Sequence, residues 1–198
     1  VDLIRRKDAG DDHSLHEAAL VVGRRFHFDE AHATQVTRLS LQLFDDLAPL
    51  HNLPASARPL LEVAGLLHDV GNAVSYQKHH RHSYYLIQNA EIPGLRERER
   101  ELVARIARYH RRSPPDPSHS MMEGLGAGEV RVVRKLATLL RVADSLDRSH
   151  RQSIVRLQAR LLPNAVMVKL RARSPLDLEL WDATHEAGLF RRVFGRKL

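Results

Sequence analysis

The chain has 198 residues, thirteen histidines, no cysteine and a formal charge of +7 with histidine taken as neutral. One domain with a small appendage fits that length, because domains commonly run to roughly 100–200 residues. A chain of this size buries about 70% of its unfolded surface without needing staples. The lack of cysteine excludes disulfides, cysteine-based zinc ribbons and thiol nucleophiles, and agrees with a reducing, cytoplasmic setting. The excess of Lys and Arg favours an anionic partner. No apolar run approaches the ~18 residues a membrane span needs, and no secretory pattern opens the chain. The first residue is Val1 instead of Met, which reads as the cut end of something longer.

In chain order, the first helix is expected over 14–27, with Ser14 as N-cap and Glu17 completing a capping box. Asp29 caps a second that runs to about Leu47 on the stripe Val36, Leu39, Leu43 and Leu47, with Phe28 stapled to Ala33. Pro49 and Pro54 bracket a turn. A third helix covers Ser56 to Val70 and is stopped by Gly71; a fourth covers 79–90 and a fifth 95–110. Prolines 114, 115 and 117 and glycines 124, 126 and 128 mark 113–128 as a surface loop. A long sixth helix is expected from Glu129 to His150. The period then changes: Ile154–Leu162 and Val166–Ala172 alternate around Pro163-Asn164 as a β-hairpin, before a short helix Leu176–Ala187 and a tail anchored by Phe190 and Phe194.

Where polar residues fall on these stripes is informative. Helical residues four or seven apart share a face. His32 precedes Val36 by four, His68 follows Ala64, His82 precedes Leu86, His110 follows Ile106 and Asp144 follows Leu140. Five helices thus each turn a metal-capable side chain inward. A single such histidine is most often a hydrogen-bonded core residue, and a single Asp144 could pair with Arg141 or Arg148. Five together, one beside an adjacent His68–Asp69 pair, point to a shared divalent cation, which removes the cost of burying an unpaired carboxylate. Asp69 can bridge two ions where an imidazole cannot. The mixed N/O set suits Mn, Fe, Ni or Zn, with Mg a poorer fit. His51, His119 and His185 fall on no such stripe and read as solvated.

The order H…HD…D (His32, His68-Asp69, Asp144) resembles the HD superfamily of metal-dependent phosphohydrolases. Longer strings resemble one branch of it: Leu66-Leu67-His68-Asp69-Val70-Gly71, His79-His80-Arg81-His82-Ser83, Arg108-Tyr109-His110-Arg111 and Leu139 through Asp144 to His150. That branch is the C-terminal HD-like domain of the exopolyphosphatase / guanosine pentaphosphate phosphohydrolase (Ppx/GppA) family. The resemblance implies a mostly α fold, an HD-domain helical bundle with a small C-terminal β-hairpin-plus-helix appendage. It divides the chain into a junction segment (1–13), the helical HD domain (14–152) and the appendage (153–198). It further implies N-terminal actin-like ATPase-fold lobes in a larger chain, so that this sequence is either a detached part or a free-standing relative. In the two-metal branch of HD enzymes, His82 and His110 stand at positions of further ligands.

These readings give one or two ions: His32, His68, Asp69 and Asp144 on the first, and Asp69, His82 and His110 on the second, with Asp69 the central catalytic residue. Lys78, His79, His80 and Arg81 form a basic rim, and Arg148 and Arg151, one and two turns past Asp144, add charge suited to substrate phosphates. The expected activity is hydrolysis of an anionic phosphate substrate, polyphosphate or a phosphorylated nucleotide. The competing readings are a non-catalytic polyphosphate-binding or dimerisation module, with the appendage as a homodimer contact, and plain nucleic-acid binding. The last is weakened by sparse aromatics and by basic residues scattered over many helices.

Overall fold

A computed structural model describes residues 9–198, with side chains from Ser14 onward. Helices α1 (Ala9–Arg25), α2 (Glu30–Asp46), α3 (Ala48–His51), α4 (Arg58–Leu67), α5 (His79–Asn89), α6 (Glu97–Arg108) and α7 (Ala127–Ser145) come first. An antiparallel pair follows, β1 (Ile154–Leu161) and β2 (Val166–Ala172), and then α8 (Asp177–Phe194). The fold is mostly α with a terminal hairpin and helix, as the sequence implies. None of the described helices is long and apolar enough to cross a membrane.

The Asp29 carboxylate accepts the His32 N–H at 3.0 Å and so starts α2. The stripe Val36, Leu39, Leu43 is fully buried against Leu61 and Ala64 of α4 and Leu140 of α7 in one core. Each such leucine contributes about 1.5–3 kcal/mol. Gly65 sets how closely α2 and α4 cross: a methyl group there would lie 2.6 Å from Thr37 Oγ1 and 3.1 Å from Thr37 Cα. Because the helices touch at that point, His68, one turn beyond Gly65, comes beside His32. Gly71 does the same for α5, since a Cβ there would meet the His79 carbonyl oxygen at 2.1 Å and the Ser83 nitrogen at 2.4 Å. Arg98 bridges α6 to Glu129 of α7 at 2.6 Å, and its guanidinium also reaches Glu101.

Several expected boundaries move. Helix α1 already includes Ala9, so Ser14 lies inside it, exposed, and cannot be its N-cap; residues 1–8 lie outside the described residues. The Phe28 ring packs on Gly23. The loop 113–128 is shorter than expected because Glu129 accepts the Gly126 N–H at 2.8 Å and starts α7 at Ala127. Arg105 and Arg134 hold the rest of that loop through the Met121 and Pro115 carbonyls. Helix α8 continues past Ala187 to Phe194 because Phe190 and Phe194, four apart, share its buried face; Gly195 in the left-handed region ends it.

Helix α7 stops at Ser145 and not at His150. The Asp147 carboxylate draws the chain into a turn by accepting the Gln152 N–H at 2.7 Å. From that turn the chain runs directly into β1, whose Ile154 carbonyl accepts from Gln35 and Arg38 of α2, each at 2.7 Å. The buried faces of Ile154, Leu157, Val166 and Phe190 join the core of the helical bundle.

Candidate metal centre

Four imidazoles and two carboxylates converge where the ends of α4, α6 and α7 meet the starts of α2 and α5. His32 Nε2 and His68 Nε2 lie 3.3 and 3.6 Å from Asp144 Oδ1. His79 Nε2 and His110 Nε2 lie 3.2 and 3.3 Å from Asp69 Oδ1. Asp69 Oδ1 is also 3.8 Å from His68 Nε2, on the border between the two groups. His32, His68 and Asp144 form one triad of ligand atoms and Asp69, His79 and His110 another, each with its atoms within 4.8 Å of one another.

Each ring is held by the nitrogen that faces away. Nδ1 of His68 donates to the Gly65 carbonyl at 2.7 Å, that of His110 to Ala107 at 2.6 Å and that of His79 to Tyr76 at 3.0 Å. Nδ1 of His32 donates to the Asp147 carboxylate at 2.8 Å. These partners only accept, so Nδ1 carries the proton and Nε2 of the neutral ring is a bare lone pair. The Nε2 atoms of His32 and His68 are buried with no hydrogen-bond partner. Those of His79 and His110 face each other at 3.1 Å, where two neutral rings so held cannot bond. Four lone pairs and two carboxylates aimed at one small volume need positive charge there. The N/O donor set and the orphaned nitrogens fit a divalent transition-metal ion.

In the metal-free protein, protons fill that need. Burial draws the His32 pKa down, but the Asp144 and Asp147 carboxylates facing its two nitrogens outweigh it and hold the ring at about 10. His68 is also raised, against its burial, by Asp69 and Asp144. Burial works to raise Asp69 and Asp144, yet their histidine neighbours hold both well below the usual carboxylate range.

The sequence matches the family described as Ppx/GppA phosphatase, domain III, over residues 16–185. The chain belongs to that family. A curated relative, guanosine-5'-triphosphate,3'-diphosphate pyrophosphatase of Pseudoalteromonas translucida, is 31% identical over 120 residues, which cover 60% of this chain and 23% of that protein. The protein of the same name from Aeromonas hydrophila is 30% identical over 120 residues, covering 60% and 24%. The chain therefore spans about a quarter of the length of these relatives.

In this Ppx/GppA domain, His32, His68, His110 and Asp144 come together as their helical phase implies, and Asp69 joins them beside His68. His82 does not join them. The buried face of α5 is His79, His80, Ser83 and Ile87, because Ser83 accepts the Gly71 N–H at 2.9 Å and seats that face on Gly71. His79 takes the inward position and His82 lies half-exposed, three residues round the helix. The spacing 79, 83, 87 would have disclosed this, but the Leu86 stripe was the more apolar one. Asp147 and His150 were also missed as neighbours of the site. Asp147 is 1% exposed and orients His32, while the His150 ring stacks on His32 at 3.6 Å and bonds Asp29 at 2.9 Å.

A groove of about 460 Å³ lies beside His79 and is lined by the rim residues Lys78, His79, His80 and Arg81. Arg108, Arg111 and Arg112 complete it from the end of α6. Arg148 and Arg151 do not line it: α7 ends at Ser145, their helical phase is lost, Arg148 turns to Asp182 at 3.6 Å and Arg151 is exposed. Two histidines read as solvated are not. His51 is buried, donating from Nε2 to the Phe44 carbonyl at 2.8 Å and accepting the Leu53 N–H at Nδ1 at 2.9 Å. His119 is half-buried and bonds the Tyr109 hydroxyl at 2.7 Å, whereas His185 is exposed.

Proposed function

We propose that this domain is a metal-dependent hydrolase of the HD type that cleaves phosphoryl bonds in polyphosphate or in phosphorylated guanine nucleotides. The observation that carries this reading is the common orientation of four buried imidazoles, each with Nδ1 committed to an acceptor and Nε2 turned toward Asp69 or Asp144. His32, His68 and Asp144 would hold one ion; Asp69, His79 and His110 would hold a second, with Asp69 between them. Bound divalent ions lower the pKa of water to about 7 and neutralise phosphoryl oxygens. Asp147, Gly65, Ala107 and Tyr76 fix the ring orientations, which spares the site reorganisation. Lys78 and the arginines of the groove bind phosphate oxygens beside the centre. The relatives carry the name guanosine-5'-triphosphate,3'-diphosphate pyrophosphatase, and hydrolysis of a phosphoanhydride is chemistry that such a site suits.

The test is metal content and phosphatase activity on the purified chain. Metal analysis should find one or two Mn, Fe, Ni or Zn ions per chain, and chelation should abolish hydrolysis. Asp69→Ala should remove both metal and turnover; retention of both in that variant would overturn the assignment. The basic groove beside the centre also suits a second reading, a polyphosphate-binding module for catalytic lobes elsewhere. Polyphosphate binding by the metal-loaded chain without turnover would select it.

A further inference from the structure

His150 repeats, on the solvent side of the centre, the arrangement of the four buried imidazoles. Its Nδ1 donates to the Asp29 carboxylate at 2.9 Å, which leaves Nε2 of the neutral ring as a lone pair. Histidines that ligate metals almost always commit their other nitrogen to such an acceptor. One ring nitrogen of His150 lies within 4.8 Å of a ligand atom of His32 and of one of Asp69, which are equally close to each other. The same spacing defines the two triads, and His150 joins them, since His32 belongs to one and Asp69 to the other. Side chains of the triads are at most 16% exposed, whereas that of His150 is 42% exposed. The backbone is strained to hold the ring there. His150 and Gln152 sit at φ of 56° and 48°, a conformation that costs each about 1–3 kcal/mol and that clusters at active sites and ligand clamps. Asp147 fixes this turn by accepting the Gln152 N–H at 2.7 Å, and the His150 ring lies on His32 at 3.6 Å, 11° from parallel. A ring that only tied the turn to α2 would need the Asp29 contact and the stack, and no nitrogen near Asp69.

We propose that His150 is a further metal ligand, which closes the exposed side of the centre by turning Nε2 to an ion held between His32 and Asp69. This rests on the metal-dependent reading of the site, and goes beyond it in placing a ligand outside the helical bundle's buried stripes, on the turn that leads into β1. Asp29 orients the ring as Asp147 orients that of His32, so that one residue caps α2 and positions a ligand.

Cobalt(II) titrated into chelator-treated protein tests this without any substrate, since its visible absorption reports the donors around it. In His150→Gly, whose glycine adopts the positive φ freely, cobalt affinity should fall about tenfold or more and the absorption bands should shift. Free imidazole added to that variant should restore the wild-type spectrum. Isotope-labelled imidazole should then show nitrogen hyperfine coupling to the cobalt in pulsed electron paramagnetic resonance, and the wild type, with that position filled, should not take it up. If His150→Gly does not fold, as judged by circular dichroism, His150→Asn, which also tolerates that φ, is read by affinity and spectrum. Unchanged affinity and spectrum in a variant of a protein that does bind cobalt overturn the ligand and leave the rest of the centre standing. Weaker binding with no coupling to added imidazole also overturns it, and makes His150 a support for His32. A wild type that binds no cobalt overturns the metal-dependent reading and the ligand with it.

Discussion

Two buried histidine environments on either end of α2 behave in opposite ways. At its C-terminal end, His51 stacks on Phe44 at 4.2 Å between centroids and has both ring nitrogens satisfied by the backbone of its own corner. At its N-terminal end, His32 is as deeply buried, yet only Nδ1 is satisfied and Nε2 points at Asp144. Burial therefore does not separate a structural histidine from a candidate ligand. The difference is whether the protein supplies partners for both nitrogens or leaves one facing carboxylates.

The largest effect that should sharpen this contrast is at Asp147. Asp147→Ala removes the group that orients His32, and metal affinity should fall about 10–100-fold, measured by competition with a chromogenic chelator, while helical content by circular dichroism is kept. An unchanged affinity would mean that His32 is held by packing alone.

The two regions also carry opposite pH signatures in the metal-free protein. His32 is raised from 6.5 to about 10, so its contribution to stability is complete below pH 6.5 and is lost as pH rises toward about 10. His51 is lowered, first by burial, so its contribution is present above pH 6.5 and is lost as pH falls below that value. Thermal melts of chelated protein should decline on the alkaline side, and saturating metal should remove most of that decline. His51→Ala should cost about 1–3 kcal/mol at pH 7.5, leave metal content unchanged, and shallow the acid side of the same melt series. A loss of metal in His51→Ala would erase the distinction between the corner and the centre.

The smallest effect belongs to His82. Half-exposed and outside both triads, it should tolerate His82→Gln with stability within about 0.5 kcal/mol and metal stoichiometry intact. Loss of the second ion in that variant would return His82 to the ligand set and displace His79.

What was legible in the sequence follows from this geometry. The long apolar stripes of α2, α4 and α7 fix the phases of His32, His68 and Asp144, because leucine and valine leave little doubt about which side is inside. Helix α5 offers two rival stripes, 79/83/87 and 82/86, and the Gly71 contact, a tertiary event, chooses the less apolar of them. The end of α7 was misplaced for a related reason. Residues 146–150 continue a plausible helical pattern, and only the hydrogen bonds of the buried Asp147 carboxylate stop it. That error concealed Asp147 and His150 beside the site and placed Arg148 and Arg151 in the wrong direction.

The turn at Asp147 couples the centre to the rest of the chain. The same carboxylate grips the His32 ring and the Gln152 backbone, and two residues further on Ile154 is pinned to α2. Free energy released by an ion held at His32, as proposed, would thus be shared with the entry to the hairpin, and linkage of this kind is reciprocal. Any load on β1 and β2 that shifts the turn would then alter the affinity for the ion by the same factor by which the ion alters the affinity for the load.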